Sequence, residues 1–118
     1  MTYYNIRTAG SVEAVKNDAT FAQICSYLRM DPGDDDMMVW QSFCAAYDYV
    51  MDAVGEVYES SAHTVILLMA LTQEFYDNRE LMQSDIQQRL RQRYSFQSII
   101  QQLQMAKQIR DDAEEAET

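Results

Sequence analysis

The sequence predicts an all-α fold, a small bundle of about four helices with a long central helix pair, flanked by an N-terminal arm and a C-terminal helix with an acidic tail. Three observations predict it. Helix breakers are scarce, with 3 Gly and 1 Pro in 118 residues. Good helix formers abound, including 8 Met and a Gln-rich second half. Apolar residues also recur at helical spacing in successive stretches, and a hydrophobic fraction of 47% is ordinary for one folded domain.

Residues 1–19 show no clear period. Tyr3, Tyr4, Ile6 and Val12 give apolar character to an arm that packs on something. A helix is expected from Thr20 as N-cap, with Phe21, Ile24, Cys25 and Leu28 as its buried face and Asp31-Pro32-Gly33 as its stop. Asp34-Asp35-Asp36 then opens a long helix, its carboxylates accepting first-turn amides and opposing the dipole.

This helix runs to about Val54 and stops at Gly55. Trp40, Phe43, Cys44, Tyr47, Val50, Met51 and Val54 form its apolar stripe. Its rear carries Ala46, Tyr49 and Ala53, where small residues permit close approach by a neighbouring subunit.

The next helix, capped by Ser60 or Ser61, is apolar all round from Val65 to Leu71 and ends near Asn78. Such a helix is buried on all sides, which in so small a domain calls for another subunit. Residues 80–93 read as a polar, basic loop or frayed helix. From Tyr94 a last helix buries Phe96, Ile99, Ile100, Leu103 and Ala106, while Met105 and Ile109 point the other way, toward an outside partner. Deleting residues 94–118 is therefore expected to leave a folded subunit. The helical domain spans 20–110, and the acidic residues 111–118 are expected to be disordered.

The net charge is −10, and between Asp31 and Asp85 twelve acids accompany one base, Arg79. Such a body repels phosphate, arguing against sequence-reading DNA binding but not against a wall past which DNA slides. Cys25 and Cys44 read as buried thiols of a reducing compartment. No apolar run opens the chain, and Val65 to Leu71 is too short to span a bilayer, so a soluble intracellular protein is expected.

No constellation points to catalysis, a cofactor or a metal. The acids at Asp31, Asp34, Asp35 and Asp36 lack calcium-loop spacing, and His63 has no second ligand nearby in sequence. Three scattered glycines build no phosphate cradle, and no nucleophile elbow is present. Arg89, Arg91 and Arg93 could meet nucleic acid, an acidic partner or this protein's own acidic surfaces; a solvated segment is the plainer alternative.

The order of these features resembles a family. Ile24-Cys25-Ser26-Tyr27-Leu28-Arg29-Met30-Asp31, followed by an Asp-rich helix start, is similar to the opening of bacteriophage head-tail connector proteins, also described as DNA-packaging proteins. Ala45, Ala46, Tyr49, Val50 and Gly55 resemble that family's central helix. Val65 to Glu80, ending Phe75-Tyr76-Asp77-Asn78-Arg79-Glu80, is the strongest match, and Phe96 to Leu103 resembles the closing helix. The resemblance covers about residues 20–104; the first 19 residues and the Gln- and Arg-rich segment 81–95 depart from it.

The resemblance implies a structural protein without enzymatic activity, forming a ring of about a dozen copies beneath the portal. That ring would extend the DNA channel and receive a head-completion or tail protein, in the virion and, during assembly, in the host cytoplasm. Leu28, Arg29, Asp31, Tyr76, Asn78, Arg79 and Glu80 would form the framework of each subunit, with an Arg–carboxylate pair between the two motifs. Ala46, Tyr49, Ala53, Ile99, Ile100, Leu103, Met105 and Ile109 would face the portal or a neighbouring subunit. Arg89, Arg91 and Arg93 would contact the channel or a partner. The competing expectations are a DNA-packaging accessory acting through those arginines and a small acidic adaptor binding a host protein.

Overall fold

The computed structural model describes residues 2–31, 33–78 and 94–117. In order these form α1 (Tyr3–Thr8), a 3-10 turn (Val12–Ala14), α2 (Ala19–Tyr27), α3 (Asp36–Val54), α4 (Ala62–Asp77) and α5 (Tyr94–Glu117). Among the described residues there is no strand. The fold is all-α.

The centre is the α3–α4 pair, which shares the most extensive packing in the molecule. Gly55 makes the pair possible. Its φ of +93° is left-handed, and its N–H donates to the Met51 carbonyl, closing α3 so that the chain returns through a short connection. Phe43, Ala46 and Val50 of α3 and Leu67, Leu68 and Leu71 of α4 are completely buried in the shared core. On α5, Phe96, Ile100 and Leu103 are buried, and α5 packs on both α3 and α4. Phe21, Ile24 and Cys25 of α2 complete the core.

Several boundaries differ from the sequence reading. The cap of α2 is Asp18, whose Oδ1 accepts from the Thr20 N–H at 2.8 Å, so Thr20 lies inside the first turn. The helix stops at Leu28 and Arg29, ahead of Asp31-Pro32-Gly33. At α3 the N-cap is Asp35, which makes no side-chain capping bond; Asp36 takes an amide instead, that of Gly33 at 2.9 Å. Ser61 holds the cap position of α4, also without a side-chain capping bond.

Two segments expected to be irregular are helical. Residues 111–117 continue α5, supported by Lys107 to Asp111 at 2.6 Å and Gln108 to Asp112 at 3.0 Å, each four residues apart. The run is also rich in Ala and Glu, whose intrinsic helix preference is high. The arm, too, is ordered structure, with Ile6 and Val15 fully buried and Val12 nearly so.

The apolar run of α4 is covered within one chain. Leu67, Leu68, Met69 and Leu71 are buried, Val65 and Ala70 half-buried, and only Ile66 is open, at 55%. The expected burial on all sides holds for most of this run but not for Ile66, and because α3 and α5 both pack on α4, the burial that is seen does not call for a second subunit. Likewise, deleting residues 94–118 would strip Phe96, Ile100 and Leu103 from the core, so a folded remainder is not expected.

Burial of Cys25, aided by the charge of Asp36, pushes its thiol up to about 11 from the ordinary 9.0. The folded state thus favours the neutral thiol. Its contribution to stability is intact below about pH 9 and is lost as pH rises through 11. Tyr3 and Tyr47, also raised by burial, extend the loss above their ordinary 10.0. Urea unfolding at pH 8 to 11 should show stability falling over that window, with a shallower fall in Cys25→Ala.

Candidate functional site

The two segments that carry the family resemblance meet in space. At the end of α2 the backbone forms a Schellman stop: Met30 N–H donates to the Cys25 carbonyl at 2.9 Å, and Arg29 N–H to the Ser26 carbonyl at 3.0 Å. Between them Arg29 takes φ +59°, a left-handed conformation that usually selects Gly. Arg29 therefore turns the chain, while Leu28 and Met30 pack against the core.

Across from this stop, Tyr76 on α4 donates its hydroxyl to Asp35 Oδ2 at 2.6 Å and lies 3.7 Å from the Met30 sulfur. The link between the motifs is thus Tyr76 with Asp35 and Met30. Asp35 was not among the motif residues singled out in the sequence, since an Asp beside a helix start reads as a cap. The expected Arg–carboxylate pair between the two motifs falls in part on residues 79 and 80, so it lies outside the described residues; Arg29 and Asp31 are exposed. Arg79 and Glu80 lie outside the described residues. Asn78 is the C-cap of α4, its Nδ2 donating to the Glu74 carbonyl at 2.9 Å and to Glu74 Oε2 at 3.1 Å. It finishes a helix.

The expected interface residues divide into groups. Ala46, Tyr49, Ile100 and Leu103 are buried inside the subunit, which removes them as a contact surface. Ala53 and Ile99 are half-buried against the same core. The helical period correctly marks a second apolar face on α3, but elements of the same chain fill it. Met105 and Ile109 remain, each 66% exposed and one turn apart on the outer side of α5.

The position of that outer face is fixed by contacts to the last turn of α3 and the connection after it. Gln104 donates to the Ala53 carbonyl at 2.8 Å, Arg110 pairs with Glu56, and the Arg110 guanidinium lies 3.9 Å from the Tyr58 ring centroid. Past Leu103 no side chain through residue 115 is fully buried, and 111–115 are exposed. The result is an exposed helix end with a two-residue apolar patch, followed in sequence by the acids Asp111, Asp112, Glu114, Glu115 and Glu117.

Among the described residues no three His, Cys, Asp or Glu side chains lie together as a metal site. A cleft of about 560 Å³ lies between the 3-10 turn and the start of α3, lined by Val12, Lys16, Asn17, Gly33, Asp36 and Met37, and Lys16 there pairs with Glu13 at 2.6 Å. His63 is exposed on the first turn of α4. No described helix is long and apolar enough to cross a membrane. Arg89, Arg91 and Arg93 lie outside the described residues. Comparison with protein-family models, with curated proteins and with solved structures finds no match to the chain.

Two substitutions test the helix-end junction. Arg29→Gly relieves the left-handed strain and is expected to raise unfolding stability by about 1 kcal/mol. Tyr76→Phe is expected to lower it by about 1–2 kcal/mol, and a double-mutant cycle with Asp35→Asn in urea should return most of that as coupling.

Proposed function

We propose that this chain is a structural head-tail connector of a tailed bacteriophage or prophage. In that role it joins a ring beneath the portal and presents a surface to a head-completion or tail protein, while DNA passes without sequence-specific contact. The observation that carries the reading is the two-sided terminal helix. Its inner face is consumed by the core, and its outer face leaves Met105 and Ile109 exposed ahead of a run of acids. An exposed apolar pair on a helix that ends in a run of acids suits docking to a larger assembly whose surface offers apolar and basic groups.

Two further features support it. The segments resembling the connector family converge on Tyr76, Asp35 and Met30, so the motif order has a structural reason within one subunit. The net charge of −10 suits a wall past which a polyanion must slide.

A second reading, a small acidic adaptor binding a single protein as a monomer, is favoured by the coverage of α4 within one chain. Co-sedimentation with portal rings of tailed bacteriophages separates the two. The connector reading expects the full chain to pellet with portal rings, and Met105→Glu with Ile109→Glu to reduce binding at least tenfold with an unchanged urea midpoint. A chain that never pellets with portal, or a double variant that pellets as well as the parent, contradicts it.

A further inference from the structure

The N-terminal helix is held unlike the rest of the molecule. With only six residues, α1 has more unpaired backbone ends than internal bonds, and a helix so short does not persist alone in water. Other elements supply what it lacks. At its start the Glu59 carboxylate accepts from the Tyr3 N–H at 2.8 Å and the Tyr4 N–H at 3.0 Å. At its end the Trp40 indole donates to the Ile6 carbonyl at 2.9 Å, and the Cys44 thiol lies 4.0 Å from the Arg7 carbonyl. Arg7 also grips Asp48 with two bonds, of 2.8 and 2.9 Å.

The hold joins peripheral polar bonds to a small apolar contact, Ile6 in the core and the Tyr3 ring centroid 5.8 Å from that of Phe43. The Arg7 and Asp48 side chains are 36% and 54% exposed, a setting in which an ion pair contributes little. Ile6 is the only fully buried side chain of the helix. Behind it, Ala9 is extended and Gly10 is exposed, with nothing within 4 Å of where a Cβ would stand. The chain is anchored again at Val12 and Val15, both buried.

We propose that residues 2–9 are a releasable clasp. The clasp swings about Ala9–Ser11 as a unit, undocking α1 and baring the flank of α3 around Trp40 and Cys44, while Val12, Val15 and the bundle stay folded. Thr2 caps the Asn5 N–H at 3.1 Å from within the segment, but the partners of the Tyr3 and Tyr4 amides and the indole on the Ile6 carbonyl come from other elements, so undocking also weakens the helix. The fold thus carries a cover over one side of its central helix, governed by two carboxylates, Asp48 and Glu59.

The two cysteines report on this directly. Cys44 is half-buried beside the clasp, 4.0 Å from the Arg7 carbonyl, and Cys25 is fully buried in the core, so the urea dependence and the Glu59→Gln effect carry the test rather than the bare rate ratio. Labelling of the full-length chain with a neutral thiol reagent in sub-denaturing urea is the test. Cys44 is expected to react at least tenfold faster than Cys25, with a shallower urea dependence. Glu59→Gln is the cleaner variant, because the charges acting on the Cys44 thiol are those of Arg7 and Asp48. It should speed Cys44 labelling by roughly threefold to fivefold and leave Cys25 unchanged, and Asp48→Asn should act in the same direction. If both thiols react together with one urea dependence, α1 leaves only on global unfolding and the proposal is overturned. A Cys44 rate unmoved by Glu59→Gln overturns it equally, and an unchanged Cys25 rate excludes general unfolding as the cause of any increase.

Discussion

The packing of α3 on α4 is the constraint on which the remainder depends. Phe43, Ala46 and Val50 meet Leu67, Leu68 and Leu71 only because Gly55 turns the chain within a few residues. Once that pair is set, its surfaces decide where everything else goes. α5 lies on both helices and buries Phe96, Ile100 and Leu103; the arm and α2 pack against α3. The connection that makes the turn also ties both chain ends. Glu59 receives the first amides of α1, while Glu56 and Tyr58 receive Arg110 of α5. Seven residues between α3 and α4 thereby position the two most peripheral elements.

The acidity of the described residues has more than one component. One consists of carboxylates with structural partners: Asp18 at the α2 cap, Asp35 with Tyr76, Asp48 with Arg7, and Glu59 with α1. These charges are compensated locally and position helix ends. Another is the set at the end of α5, where Asp111 and Asp112 meet Lys107 and Gln108 and residues 111–115 are exposed. The second set stands close in sequence to the exposed apolar pair Met105 and Ile109. The proposed docking role draws on that coincidence of charge and apolar surface.

Much of the helical core was legible in the sequence. The stripe through Phe43, Tyr47 and Val50, the stop at Gly55 and the inner face of α5 follow from period and breaker chemistry, which are local signals. The sequence could not say which element covers a second apolar face. Ala46 and Tyr49 read as an intersubunit surface, yet the subunit's own helices fill it. The arm was hidden because six residues are too few to show a helical period. Arg29 was hidden for a different reason: a left-handed Schellman residue is normally announced by Gly, and Arg in a motif suggests an ion pair. Asp35 was missed because its partner, Tyr76, lies 41 positions away in sequence.

The central functional claim is that the outer face of α5 seats this chain on a portal ring. Electron cryomicroscopy of portal rings incubated with the full-length chain tests it most directly. The account expects an added ring of density continuous with the portal, fitted by this helical bundle with Met105 and Ile109 turned toward the portal surface. Bare portal rings with the chain left in solution would contradict it, as would an attached ring whose α5 points away from the portal.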